Sequence, residues 1–292
     1  MFEPPFRWDI RSQNYLGSLL EGERSPAYDG FCDQLLPCCS RVLAFAGDSD
    51  LVFVGRSPES IFDHLSGLLF DTSWHQRLVL LQFSMRFNSE AEVRRTFPTA
   101  IPAIRSYLEH LNLHPRGLVS RTRPVAFIDL VATGSTFGRL VNLLHTWSLE
   151  TGTDWCDVRR KIRLVGITEK TKTSPNTWRW QQHVEWRDML GRGVVKNVSI
   201  PAELWDYLGN RQFKVTRTYG TAHWGDESNA RPYYGKQQLM ALCSAFDLFE
   251  AGKTTARRNK FVAYLARETA MRQPWFRALI HDVRFGRLAS SP

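Results

Sequence analysis

Short apolar, β-branched runs alternate along the chain with segments whose apolar residues recur at helical spacing. Four such runs are predicted strands, at 51–55 (LVFVG), 77–85 (RLVLLQFSM), 124–129 (PVAFID) and 161–169 (KIRLVGITE). Helical patterns occur between them, in IFDHLSGLLF, IPAIRSYLEHL and residues 136–148. Strands that alternate with helices predict an α/β fold, in which helices cover both faces of a parallel sheet.

The pattern changes towards both ends of the chain. Residues 1–47 form an N-terminal arm with one or two predicted helices, including LLPCCSRVLAF. After residue 169 a Trp-rich stretch contains a candidate strand, VVKNVSIP, and a short helix, AELWDYL, and the pattern is helical from Pro232 onward. No low-complexity linker interrupts the chain. We therefore predict a single domain with a core at about 48–168, the arm, and a Trp-rich and helical extension at 169–292.

Composition indicates a soluble protein with a basic surface. The chain is 43% hydrophobic and 23% charged, and its formal net charge is +9. This charge fits either a solvated surface or a polyanionic partner, such as a phosphorylated metabolite or a nucleic acid. The five cysteines include no CxxC pair, which predicts reduced thiols in a cytoplasm. No signal-peptide pattern and no apolar run of about 18–20 residues occurs, so we expect no membrane association.

The segment from Asp129 to Thr136 has the residue types of a phosphate-binding loop. A strand ends at the acid, and the turn Thr133-Gly134-Ser135-Thr136 opens a helix. Glycine lets the backbone approach a phosphate, and the first N–H groups of the helix point at the anion. The hydroxyls of the turn add hydrogen-bond donors, and the acid suits ribose hydroxyls. The alternative is an ordinary strand-to-helix turn in which Thr and Ser are helix caps.

The segment VAFIDLVATGST (125–136) resembles the signature of type I phosphoribosyltransferases, which bind phosphoribosyl pyrophosphate (PRPP). That signature has two adjacent acids, two apolar residues, any residue and then Thr-Gly-x-Thr. Asp129 matches the second acid, whereas Ile128 stands at the position of the first. Ala132 stands where some purine-specific members carry an acidic base. The resemblance extends over about residues 48–168 and implies a phosphoribosyltransferase-like core.

The resemblance also implies a reaction and a cofactor. Asp129 would hold the ribose, and residues 133–136 would hold the 5-phosphate, with Ala132 as a further candidate substrate contact. Mg²⁺ would bind mainly through the oxygens of PRPP and neutralise the pyrophosphate leaving group. The departure at Ile128 weakens the expectation of ordinary catalysis.

A second loop with a suitable position follows the first predicted strand. In LVFVG-RSPES, Ser57 is a predicted helix N-cap and Pro58 fits the first helical position. Arg56 adds a guanidinium beside the helix N-terminus, which suits pyrophosphate oxygens. The alternative is a plain capped helix with a solvated arginine.

Other basic and aromatic residues are weaker candidates for the same site. Family members carry a mobile loop that would correspond to Phe87–Phe97 here, so Arg94 and Arg95 are candidate pyrophosphate contacts; a solvated helix end is the alternative. After the fourth strand, Lys172 and Trp178 are candidates to contact a flat substrate. Packing, or single-stranded nucleic acid binding, would explain the same residues.

Three functional hypotheses result from the sequence. The first is a Mg²⁺-dependent phosphoribosyltransferase that acts on an unidentified acceptor. The second is a non-catalytic PRPP- or nucleotide-binding regulatory protein of the same fold, which the departure at Ile128 favours. The third, nucleic-acid binding, is disfavoured because the basic residues are spread along the chain. The expected partner is therefore a phosphorylated sugar or nucleotide-like small molecule, and a homodimer remains open.

Overall fold

A computed structural model describes residues 3–12, 15–85, 87, 89–170, 180–182, 184–191 and 193–286. The strands of its sheet are β1 (Asp50–Val54), β2 (Leu78–Leu81), β3 (Val125–Leu130), β4 (Ile162–Glu169) and β5 (Val195–Ile200). The described α-helices are α1 (Phe31–Ala46), α2 (Glu59–Leu68), α3 (Glu90–Thr96), α4 (Ala100–His110), α5 (Pro115–Ser120), α6 (Ser135–Glu150), α7 (Trp155–Arg160), α8 (Ala202–Asp206), α9 (Lys236–Lys253), α10 (Thr255–Leu265) and α11 (Pro274–Phe285).

The strands form one five-stranded sheet in the order β2-β1-β3-β4-β5, and every neighbouring pair is parallel. The four predicted strands and the candidate strand VVKNVSIP are confirmed. The second strand is shorter than predicted and ends at Leu81. Beyond it the backbone N–H of Gln82 donates to the Tyr107 hydroxyl, and Ser84 pairs with Gly220 outside the sheet.

Helices cover both faces of the sheet, as predicted. Leu51 and Phe53 of β1 contribute to one apolar cluster, together with residues of α1, α2, α8, α10 and α11. Val52 and Val54 point to the opposite cluster, which contains residues of α3 to α7. The period of two along a strand therefore supplies both cores. No helix in the described part of the chain is both long and apolar enough to cross a membrane.

The sheet and its layers use more of the chain than residues 48–168. Helix α1, from the N-terminal arm, packs against β4 and β5. Strand β5, from the extension after residue 169, pairs along its length with β4. A third apolar cluster joins Ile10 and Leu16 of the arm to Leu242 and Phe249 of α9. The described parts of the arm and of the extension thus belong to the same packed unit as the core.

Helices α2 and α9 cross in direct backbone contact. A Cβ atom at Gly67 of α2 would overlap the carbonyl of Phe249. A Cβ at Gly252 of α9 would lie 2.7 Å from the backbone nitrogen of Leu68 and 3.0 Å from the carbonyl oxygen of His64. Only glycine fits at these two positions because the opposing atoms belong to the backbone. The crossing fixes α2, whose N-terminal end lies at the candidate site.

We predict that Gly252→Ala destabilises the protein by about 1–3 kcal/mol, because the added methyl group forces two helices apart. Chemical denaturation at constant pH measures the change. Gly22→Ala is the matched control, since its Cβ would meet only Cys243 Sγ at 3.6 Å. Equal stability of the two variants would contradict the close crossing.

Candidate functional site

A polar cavity of about 580 Å³ lies where β1 and β3 end. The strand order reverses at this point, because the chain runs from β1 to β2 on one side and returns to β3 on the other. Helix α2, after β1, packs on one face, and α6, after β3, packs on the opposite face. Their divergence leaves a crevice at the carboxyl ends of the strands, the usual ligand position in open α/β sheets.

The turn after β1 brings Arg56 and Ser57 to the cavity wall. The prediction of Ser57 as helix N-cap is wrong: α2 begins at Glu59, Pro58 occupies the cap position, and no side chain caps the helix. The N–H of Glu59 instead donates to the carbonyl of Arg56, which folds the turn back on itself. Within the described residues the Arg56 guanidinium has no hydrogen-bond or ion-pair partner, and Arg56 lines the cavity.

The turn after β3 has the geometry of an uncapped helix N-terminus. Gly134 has a φ of 80° and is the N-cap of α6, and no side chain caps this helix. This excludes the alternative in which Thr and Ser are helix caps. The first helical hydrogen bond runs from Gly138 N–H to Gly134 O, so the preceding amides of α6 have no acceptor within the helix.

Only part of the predicted phosphate loop lines this cavity. Asp129 and Thr136 do so, whereas residues 132–135 are not among its lining residues. Ala132, Thr133 and Ser135 are exposed. Gly134 is buried, and a Cβ there would overlap the indole of Trp180. The structure therefore brings Asp129 and Thr136 together with Arg56 and Ser57, and it places the tip of the loop beside them.

Two indoles pack on the turn and on the helix that follows it. Trp180 is 3% exposed, and its Nε1 donates to Asn197 Oδ1 of β5 at 2.9 Å. Trp186 covers Gly138 in the same way that Trp180 covers Gly134. The indoles also lie near each other, with ring centroids 5.9 Å apart. Trp180 thus packs between the turn at Gly134 and β5, and Trp186 packs on α6 beside it.

The Asp129 carboxyl is buried at the end of β3, with 6% of the residue exposed. Burial raises its pKa to about 8, because desolvation penalises the carboxylate more than the neutral acid. Hydrogen bonds from the backbone N–H of Leu130, at 2.7 Å, and from the Thr136 hydroxyl oppose the shift. At neutral pH the group is therefore mostly protonated, and it can both donate and accept hydrogen bonds.

Ile128, at the position of the first acid in the signature that the segment resembles, is not a lining residue of the cavity. Ile128 is fully buried and packs in the apolar cluster under α1 and α2. An acid at this position would be buried without a polar partner among those apolar side chains, which is costly. The departure from the family pattern therefore matches the local packing.

A segment that the sequence analysis did not select covers the cavity. Gly209 to Lys214 lines one wall, and Gln237 and Gln238 of α9 lie on the rim. It begins in a π-helical turn, Tyr207–Arg211, that continues from α8. Arg211 is engaged with Asp206 at 2.7 Å, and the Lys214 ammonium donates to three oxygens. In the sequence, only the polar run GNRQFK between two helical patterns marked this segment.

Of the remaining predicted residues, Arg94 and Arg95 are not brought into the cavity. Arg94 is 42% exposed and pairs with Glu90 at 2.6 Å and with Glu150 at 3.3 Å. Arg95 is exposed, and neither arginine is a lining residue. The segment that was predicted to be a mobile loop contains helix α3. Lys172 and Trp178 lie outside the described residues.

Comparison with models of known families, with curated proteins and with solved structures gave no match. The site must therefore be interpreted from its own geometry. Within the described ranges, His, Cys, Asp and Glu form no group of three or more that could hold a metal ion. Asp129 is the carboxylic acid among the lining residues.

We predict that Asp129→Asn makes the protein more stable than wild type above about pH 5, with the advantage growing up to pH 8. The folded pKa of about 8 lies above the ordinary value of 3.8, so the folded state retains a proton that the unfolded state releases. The free energy of unfolding of the wild type therefore falls with rising pH in this window, by at most about 1.4 kcal/mol per pH unit. Asparagine does not titrate, so the variant lacks this pH dependence.

Denaturation curves for wild type and variant between pH 4 and pH 8 test this expectation. The control is Asp157→Asn, at an exposed carboxylate paired with Arg160, which is expected to leave the slope unchanged. Parallel wild-type and Asp129→Asn curves across the window would show that the carboxyl is not desolvated.

Proposed function

We propose that this protein binds PRPP or a related ribose 5-phosphate donor in the cavity and transfers its phosphoribosyl group to an acceptor. One observation carries the proposal: the turns after β1 and β3 meet at one cavity, with Arg56 and Ser57 on one side and Asp129 and Thr136 on the other. A guanidinium that has no partner among the described residues, in the same cavity as a buried acid, suits a ligand with an anionic end and a hydroxyl-bearing ring.

In the proposed reaction the bond between C1 of the ribose and a pyrophosphate oxygen breaks, and the pyrophosphate leaves with the electron pair. A nucleophilic atom of the acceptor forms the new bond to C1 and loses a proton to solvent. Arg56 would stabilise the charge that develops on the pyrophosphate, and Asp129 would hold the ribose hydroxyls. Such catalysis relies on positioning and electrostatic stabilisation.

The residues present suit a magnesium ion that arrives with its ligand. Mg²⁺ is commonly held by one or two carboxylates together with substrate phosphates and water. The cavity offers Asp129, whose pKa is raised to about 8, so a complete protein cage is not built here. When bound, Mg²⁺ would neutralise charge on the pyrophosphate. Its presence would also favour ionisation of Asp129, because a nearby cation stabilises a carboxylate.

A second function, PRPP or nucleotide binding without turnover, is favoured by the burial of Ile128. The position that carries an acid in the family contributes here to the apolar core, which leaves Asp129 as the single acid beside the ribose. Binding in calorimetry without pyrophosphate release, across a panel of candidate acceptors, would support this function over transfer.

We predict that Arg56→Ala weakens PRPP binding by about 10- to 100-fold, which corresponds to about 1.4–2.8 kcal/mol. Loss of the guanidinium removes a charge-assisted contact, and it leaves none of the described residues without a hydrogen-bond or ion-pair partner. Isothermal titration of the folded protein with PRPP and Mg²⁺ measures the affinity.

Arg160→Ala is the matched control for this titration, because that side chain is 75% exposed and lies outside the cavity lining. It is expected to bind as wild type does. A folded wild-type protein that gives no binding heat at millimolar PRPP would refute the proposed function. Equal affinity of wild type and Arg56→Ala would refute the role of this arginine.

A further inference from the structure

Residues 208–216 are bound to the turn after β1 by polar contacts on both sides. Lys214 Nζ donates to the carbonyl of Ser57 at 3.3 Å and to the carbonyl of Leu208 at 2.7 Å. Gln212 Nε2 donates to Ser60 Oγ at 2.6 Å. The segment that forms the cavity wall is thus attached to the loop that presents Arg56.

The Lys214 ammonium is fully used by the protein. An ammonium has three N–H donors, and its third bond goes to Gln212 Oε1 at 2.8 Å. A direct contact with a bound anion would require one of these bonds to break. The arrangement therefore suits a lysine that holds the loop better than one that holds the ligand.

Glu59 completes the attachment from the opposite side. It is 2% exposed at the start of α2, accepts the backbone N–H of Val215 at 2.9 Å and also accepts the Thr216 hydroxyl. Its carboxylate thus binds the residues that directly follow Lys214. Lys214 thus holds the carbonyl of Ser57 in the turn, and Glu59 joins the start of α2 to the residues that follow Lys214.

The charges under the turn compensate one another. Arg7 pairs with Asp63 at 2.5 Å, and Asp63 is 1% exposed. Burial lowers the pKa of Lys214 to about 8, opposed chiefly by the attraction of Glu59. Two cations, Arg7 and Lys214, therefore face two carboxylates, Asp63 and Glu59. Arg56, a third cation, lines the cavity and lies close enough to Lys214 to lower the pKa of that lysine further.

We propose that Lys214 is a positioning residue that holds the Arg56–Ser57 turn in its ligand-binding conformation by bridging the carbonyls of Ser57 and Leu208. This role rests on the proposed function, since it concerns the same anion. Lys214 acts through the turn and makes no contact with the ligand. Removal of the Lys214 ammonium frees the turn. The resulting loss of PRPP affinity cannot exceed the contribution that Arg56 makes to binding.

A double-mutant cycle separates this role from direct contact. Lys214→Met is expected to weaken PRPP binding about 10-fold in the wild-type background and less than about 2-fold in Arg56→Ala, because residues that act through each other are not additive. Equal losses in both backgrounds would mean that Lys214 contacts the ligand itself. No loss in either would show that the bridge is irrelevant to binding. Lys260→Met, which removes one charge outside the cavity lining, is the matched control.

Amide hydrogen exchange tests the bridge without any ligand. Lys214→Met is expected to speed exchange in residues 55–62 at least 10-fold, while β3 and β4 keep wild-type rates. Unchanged exchange in 55–62 would overturn the positioning role even if PRPP binds. If wild-type protein binds no PRPP, the proposed function fails, and the exchange result still decides whether Lys214 holds the turn.

A milder variant covers the case in which Lys214→Met does not fold because Glu59 loses its cation. Gln212→Ala removes one acceptor of the ammonium and the bond to Ser60 and leaves the buried charges paired. We expect Gln212→Ala to weaken PRPP binding about 3-fold in the wild-type background and less in Arg56→Ala. We also expect it to speed amide exchange in residues 55–62 about 3-fold. Additive effects or exchange at wild-type rates in this folded variant would overturn the proposal.

Discussion

The reversal of strand order between β1 and β3 determines where this protein can bind a ligand. Because consecutive elements leave the sheet in opposite directions at that point, the turns after the two strands cannot pack on each other, and a crevice stays open between them. Arg56, Ser57, Asp129 and Lys214 all line this crevice. The rest of the architecture, from the crossing of α2 and α9 to the packing of α1, fixes the turns that border it.

Much of the fold could be predicted from the sequence because the strands are short, apolar and separated by helical patterns. The runs at 51–55, 124–129 and 161–169 correspond closely to β1, β3 and β4. The run at 77–85 was predicted too long, since apolar residues beyond Leu81 are buried by contacts outside the sheet. Apolarity reports burial, and it does not distinguish a strand from a buried connection.

Local sequence patterns could predict only some of the residues that line the candidate site. Asp129, Thr136, Arg56 and Ser57 follow strands and could be selected by position. Lys214 could not, because its partners are 157 residues away in the chain at Ser57 and six away at Leu208, and no periodic pattern joins them. The cap at Ser57 failed for a different reason: the N–H of Glu59 donates to the carbonyl of Arg56, and α2 begins two residues after Ser57.

Trp180 lies against Gly134 and Trp186 lies against Gly138, and neither contact leaves room for a Cβ atom on the glycine. This complementarity makes the identity of each glycine depend on the identity of an indole about 46–48 residues away. In a related chain, a larger residue at either glycine position would have to be accompanied by a smaller ring opposite. The two glycine positions beside the cavity can therefore diverge only through paired substitutions, whereas the exposed positions 132, 133 and 135 are not restricted in this way.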